Sequence, residues 1–299
     1  MAREMAELGF SQIELSHGIR IVLVPGLLKA IEERIVSVVS THNFCPLPAG
    51  INQAAPNLFE PSSRYSRERA QWVRHTRRSL EFAAQVGATA VVCHLGGIDF
   101  LWGSPAEKLR RWVDKRGFQT AFSQPGFAPL RDRVMNRIRK RLPLHWDPLI
   151  DSLRQVEPLA REKQVRLGFE NRERLEELPV DEDFGRLFDA VGTDSTSGYW
   201  HDTGHAELKH RYGLVDHRGQ LEALSSRLIG FHLHDVNAAG EDHQPVGSGS
   251  VDFEMISSFW RPHHTLVLEL SPASVPEDVV ASRRRIEALL VARGLTRRG

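Results

Sequence analysis

The stretch Phe231-His-Leu-His-Asp-Val-Asn-Ala-Ala-Gly-Glu-Asp-His243 begins as a strand and ends as a cluster of side chains that can bind metal. Side chains alternate across a strand, so Phe231 and Leu233 share one face and His232 and His234 the other. One face is apolar and the other carries nitrogen donors. Glu241, Asp242 and His243 add further donors in a short loop containing Gly240. Two histidines on one strand are more often core or surface residues than ligands, so the reading depends on whether other strands end alike.

They do. The β-branched run Ile35-Val-Ser-Val-Val-Ser-Thr-His42 ends in a histidine, as does Ala88-Thr-Ala-Val-Val-Cys-His94. Val165-Arg-Leu-Gly-Phe-Glu170 and Thr265-Leu-Val-Leu-Glu269 end in carboxylates, and Gly198-Tyr-Trp-His-Asp202 is followed by Thr203, Gly204 and His205. The end residues His42, His94, Glu170, Asp202, His234 and Glu269 are separated by 52, 76, 32, 32 and 35 residues. The last three intervals each fit one strand and one helix. Helical periodicity fills the intervals, at residues 2–8, 25–34, 66–86, 147–163, 182–191 and 220–226. The segment 66–86 carries apolar positions Ala70, Val73, Leu80, Ala83 and Ala84 and stops at Gly87. A final helix is expected from Ser274 and Glu277 at capping-box spacing, with Pro276 at its start and Gly294 past its end.

Strand and helix in alternation predict a parallel sheet covered by helices. In a (β/α)8 barrel the carboxyl ends of all strands converge on one site, which explains why polar residues recur there. The predicted fold is therefore a TIM (β/α)8-type barrel in a single domain over residues 1–299. Only seven strands are predicted, at residues 10–16, 35–42, 88–94, 165–170, 198–202, 229–235 and 265–270. The first strand is missing because the chain begins with the helix that would follow it. A native start further upstream is favoured over an open barrel, whose edge would leave backbone groups unpaired. Two irregular insertions, at about 43–64 and 98–145, are expected to act as lids. The first is rich in proline, and the second holds the basic run Arg131–Arg141, read as a solvated helix face before a phosphate-binding one.

Composition narrows the partners. A net charge of +1 lacks the basic excess of a chain that neutralises many phosphates, so nucleic acid is the less favoured partner. Cys45 and Cys93 form no CxxC pair, which argues against a disulfide framework or cysteine-ligated zinc and fits a reducing cytoplasm. No apolar run spans a bilayer and the first residues do not form a secretory signal. A cytoplasmic protein without a membrane partner is expected.

Imidazoles and carboxylates without thiolates suit Mn, Zn, Co or Fe ions. A ligand shell of Glu170, Asp202, His234 and Glu269 leaves room for a substrate with adjacent carbonyl and hydroxyl oxygens. Glu170 or Glu269 would move a proton as general base and acid. His42, His94, His205 and His243 are additional ligands or substrate contacts. His232, deeper in its strand, is assigned to hydrogen bonding. Asn171 and Arg172 are assigned to substrate binding.

The segments Gly9-Phe-Ser-Gln-Ile-Glu-Leu15, Val92-Cys-His-Leu-Gly96, Gly168-Phe-Glu-Asn-Arg172, Asp202-Thr-Gly-His205, His232-Leu-His-Asp235 and Leu268-Glu-Leu270, taken in order, resemble the xylose isomerase-like TIM-barrel superfamily. The resemblance implies two functional branches. In the sugar isomerase and epimerase branch, residues matching Glu170, Asp202, His234 and Glu269 bind one divalent ion, Mg among the options, and the two glutamates act as acid and base. In the endonuclease IV branch, positions similar to His42, His94, His205, His243 and an acidic neighbour complete a zinc cluster that hydrolyses phosphodiesters. Ketose epimerases carry an arginine where this chain has Gly240, and the nuclease pattern places its acid and histidine further from His234 than His243 lies. The expectation is a metal-dependent sugar or sugar-phosphate isomerase or epimerase. An abasic-site endonuclease and a non-catalytic metal- or sugar-binding barrel stand as alternatives.

Overall fold

The computed structural model describes residues 1–192 and 195–295. Elements run α1 (Ala2–Glu7), β1 (Gln12–Leu15), α2 (Val24–Glu32), β2 (Ser37–His42), α3 (Ser66–Gln85) and β3 (Ala90–Cys93). Next come α4 (Pro105–Asp114), α5 (Phe118–Ala121), α6 (Phe127–Arg141), α7 (Pro143–Lys163), β4 (Arg166–Glu170), α8 (Phe184–Val191) and β5 (Gly198–Asp202). The chain continues through α9 (Thr203–Arg211), α10 (His217–Leu224), β6 (Leu228–Leu233), α11 (Phe253–Ser257), β7 (Thr265–Leu268) and α12 (Pro276–Ala292). Seven strands form one sheet in sequence order, each of the seven predicted strands appearing within a few residues of its expected bounds. Among the described residues no strand precedes β1.

Residues group into two compact units. The first holds Met1–Gly97, Leu144–Glu170 and Asp183–Trp200. Its strands pair in parallel, with His42 opposite Val92, Val92 opposite Gly168, and Gly168 opposite Gly198. All of β3 is buried, and so is β4 apart from Arg166. Helix α3 packs on β2 and β3 and buries Trp72, Val73, Leu80 and Ala83, whereas Ala70, expected on that face, is exposed. At Gly168 an added Cβ would come within 3.0 Å of the Trp200 ring, so the glycine makes room for the buried indole.

The second unit holds Ile98–Pro143, Asn171–Glu182 and His201–Gly299. Strands β6 and β7 pair in parallel, with His232 opposite Val267 and Leu233 opposite Leu268. Three helices fill the predicted insertion, and the basic run Arg131–Arg141, read as a helix face, lies within α6. Ser104 accepts a hydrogen bond from the Ala106 amide at 3.1 Å and Pro105 occupies the first turn, which starts α4. The buried positions Ala106, Leu109 and Val113 make its packed face. The capping box expected at Ser274 and Glu277 does not form. Val275, with extended backbone, precedes α12 and gives no side-chain cap; the helix starts on Pro276 alone.

Candidate metal centre

In the first unit, register decides the chemistry. His42 and Val92 are opposite, as are Val92 and Gly168, so His94 and Glu170, each two residues further on, emerge at the same level and on the same face. His94 Nε2 lies 3.1 Å from Glu170 Oε2, and His94 Nδ1 lies 3.1 Å from Asn57 Oδ1. The His42 and His94 rings meet edge to face at 5.0 Å. Ligand atoms of His42, His94 and Glu170 all fall within 4.8 Å of one another, and all three residues are buried. His17, to which the sequence assigns no role, stands 5.0 Å from His42 ring to ring.

The second unit builds its site on Asp202-Thr-Gly-His205. Asp202 Oδ1 accepts the His205 amide at 2.7 Å and so caps α9, whose dipole favours the negative charge. The Thr203 hydroxyl donates to the His234 carbonyl at 2.7 Å and accepts the His234 amide at 3.1 Å, tying the start of α9 to the end of β6. Gly204 is required because a Cβ there would lie 2.2 Å from the His234 ring. His234 is then fixed at both nitrogens: Nε2 faces Asp202 Oδ2 at 2.9 Å, and Nδ1 accepts the His243 amide at 2.8 Å. The His234 and His243 rings stack at 4.2 Å.

Two ligand groups result. His205, His234 and His243 form one, with ligand atoms within 4.8 Å. Asp242 sits beside it, 2.9 Å from His243 and 3.6 Å from His205. In the other, Asp202 and Glu269 are joined by His232, whose Nδ1 is 2.9 Å from Glu269 Oε2 and 3.9 Å from Asp202 Oδ2. The imidazole beside Glu269 is thus His232, whereas the sequence pattern places His234 in that shell. Strand alternation puts both histidines on one face and cannot say which of them a glutamate side chain reaches.

Asn171, expected to touch substrate, is buried and ties to the Asp202 main chain: its amide donates to the Asp202 carbonyl at 2.9 Å and its oxygen accepts the Asp202 N–H at 2.7 Å. Its carbonyl also meets His205 Nδ1 at 3.0 Å. The Arg172 guanidinium lies 3.5 Å from Glu177. Glu241 bonds to Asn237 at 2.7 Å, closing the turn before Asp242.

The donor sets fit a divalent cation. Each combines imidazoles with carboxylates or places one alongside, and buried carboxylates are costly unless a cation or a donor compensates them. No thiolate competes. Burial, with the Glu170 charge beside it, pushes the Cys93 thiol well above the ordinary range, and burial does the same to Cys45.

Burial alone would lower the His243 pKa, but the hydrogen bond to Asp242 and the charges of Asp202, Asp242 and Glu269 raise it to about 9. Burial would raise Asp242, yet its hydrogen bond to His243 and the neighbouring imidazoles hold it at about 2. In metal-free protein, His243 therefore contributes stability that is complete below its ordinary value of 6.5 and lost as pH rises through about 9. Asp242 contributes stability present above its ordinary value of 3.8 and lost as pH falls through about 2. Thermal midpoints followed against pH should plateau between those ordinary values, and Asp242→Asn should flatten both arms. An unchanged profile in the variant would refute the pairing.

Parallel strands followed by helices, with this chemistry at their carboxyl ends, define a TIM barrel. The family profile described as xylose isomerase-like TIM barrel matches residues 2–263, and the chain belongs to that family. Solved structures share the fold at low sequence identity. A D-tagatose 3-epimerase-like protein superposes with a TM-score of 0.66 at 17% identity, over 97% of this chain and 91% of that one. The 3-keto-D-glucoside 4-epimerase YcjR from E. coli gives 0.64 at 16%, over 97% and 92%. The TTHB071 protein from Thermus thermophilus, soaked with ZnCl2, gives 0.57 at 20%, over 97% and 92%. No curated protein sequence matches the chain.

Proposed function

We propose that the protein is a divalent-metal-dependent isomerase or epimerase of a sugar or sugar phosphate. The observation that carries this reading is the grouping of Asp202, His232 and Glu269, with Glu269 keeping 24% of its side chain open while Asp202 is fully buried. Kinship of fold with sugar epimerases supports it. Asp202 and Glu269, with an imidazole from His232 or His234, are the proposed ligands in the second unit, and Glu170 is the proposed carboxylate from β4. A cation held there supplies Lewis acidity that polarises a carbonyl and acidifies the adjacent C–H. Glu269, exposed enough to meet substrate, takes up that proton, and His232 at 2.9 Å orients its carboxylate. Glu170 returns a proton as the second acid/base residue. Arg172, steadied by Glu177, is the proposed contact for substrate oxygens.

Metal-loaded protein incubated in deuterated water with ketoses and ketose phosphates should exchange the hydrogen next to the carbonyl. Glu269→Gln should slow that exchange by about a thousandfold. No exchange across a broad panel would overturn the proposal.

The groups His42, His94, Glu170 and His205, His234, His243 favour a second reading, an abasic-site phosphodiesterase. It requires more than one bound ion per chain and nicking of a duplex carrying one abasic site. A single ion with no nicking removes it.

A further inference from the structure

The segment Ile98–Pro143 carries eleven Lys and Arg against four Asp and Glu, a net charge of +7, in a chain whose total is +1. Its helices α4 and α6 pack together, with the Trp112 and Phe127 rings 5.9 Å apart. Trp112 near the end of α4 meets Phe127 at the start of α6, so the helices are antiparallel. On α6 the buried face is Leu130, Val134, Met135 and Ile138, and Arg133, Arg137 and Lys140 line the outer face at one-turn intervals. On α4, Lys108 and Arg111 do the same, continued by Lys115 just past its end. Among the described residues, the side chains of Lys108, Lys115, Arg133, Arg137 and Lys140 make no hydrogen bond or ion pair, whereas Arg139 is held by Glu182 and Arg131 by Asp132.

The turn before α4 adds the second observation. Leu101 is 83% exposed and Trp102 is 97% exposed. The base of this turn is fixed: Arg141 pairs with Asp99 at 2.9 Å and lies over the Phe100 ring at 5.4 Å. The apolar tip therefore projects where α4 begins and α6 ends, next to the Lys108 and Lys140 ends of the two basic rows.

We infer that this insertion docks the protein on an anionic lipid surface, with Leu101 and Trp102 entering the headgroup boundary and the two basic rows facing acidic headgroups. Indole belongs at that boundary, and Lys and Arg stems let the charges stay at headgroup level. Charge complementarity alone would also fit nucleic acid, but an exposed leucine adjoining the tryptophan adds nothing to base stacking and gains from leaving water. Docking does not require a spanning segment, and among the described residues no helix is long and apolar enough to cross a membrane. The inference is independent of the catalytic reading.

Co-sedimentation of the intact protein with vesicles of phosphatidylcholine, with and without phosphatidylserine, tests it. Binding should be at least about tenfold stronger with phosphatidylserine and weaken with added salt. The triple variant Arg133→Glu, Arg137→Glu, Lys140→Glu should fall to the level of phosphatidylcholine alone. Leu101→Ser with Trp102→Ser should lose binding by about tenfold with the charges intact. Indole emission should shift to the blue on the acidic vesicles, and Trp102→Phe should lose that shift. Equal binding to both vesicle types overturns the proposal. So does a tip variant that binds as well as the parent, particularly where a short DNA duplex is retained by the same basic rows. None of these side chains is buried, so unchanged circular dichroism will separate lost docking from lost folding.

Discussion

Asp202→Asn should abolish metal loading at the Asp202, His232 and Glu269 group and reduce turnover by about a thousandfold, the scale of removing one charged group from an active centre. The fold should survive. An asparagine Oδ1 still accepts the His205 amide, so the α9 cap persists while the charge facing His234 at 2.9 Å disappears. Asp202→Ala removes both and should lose about 1 kcal/mol of stability in addition, the usual cost of a missing cap. Ion content per chain, turnover and the thermal midpoint together separate the two effects. Wild-type ion content and turnover in Asp202→Asn would end the role proposed for this carboxylate.

The second large effect lies in stability. Asp235 is fully buried and its carboxylate accepts four backbone N–H groups: Val236 at 2.8 Å and Val251 at 2.9 Å on Oδ1, Gly247 at 2.9 Å and Gly249 at 2.8 Å on Oδ2. These bonds clasp the loop that carries Asp242 and His243. Gly249 is forced by the close approach, since a Cβ there would lie 2.0 Å from the Val236 carbonyl. Asp235→Ala strands donors that have no other acceptor of comparable charge and should destabilise the protein by about 4 kcal/mol. Asp235→Asn keeps one oxygen but turns an NH2 toward two donors, for a loss of about 2 kcal/mol. Urea denaturation measures both, and amide exchange at Gly247 and Gly249 should accelerate. A loss below about 1 kcal/mol in the alanine variant would mean that the loop holds itself.

Much of the frame was legible because six of the seven strands are largely apolar runs that lead into one polar residue. His42, His94, Glu170 and Asp202 end their runs as the pattern requires, and register then brings His94 to Glu170. Other features depend on distances that a pattern does not contain. The choice between His232 and His234 beside Glu269 turns on side-chain reach and on the Thr203 hydroxyl, which comes from the end of the preceding strand. Helix α9 begins directly at Thr203, although Gly204 in its first turn argues against a helix on propensity alone. The glycine is there for the His234 ring. Within the insertion after β3 the charge pattern marks a helix face only at Arg131–Arg141, inside α6, while Gly117, Pro125 and Gly126 interrupt the rest and leave α4 and α5 unassigned. Asp235 enters the sequence only as part of the His232–Asp235 resemblance, and its role was not legible, since an acceptor for main-chain donors looks like any other aspartate.

The placement of the two cysteines has a consequence for handling and for following the protein. Cys45 and Cys93 are both completely enclosed and their thiols are held protonated. Alkylating reagents act on accessible thiolates, so the native chain offers them no target. Modification at Cys93 reports a fluctuation that frees the end of β3, and modification at Cys45 one that lifts the loop after β2, which makes the pair a built-in clock for local opening.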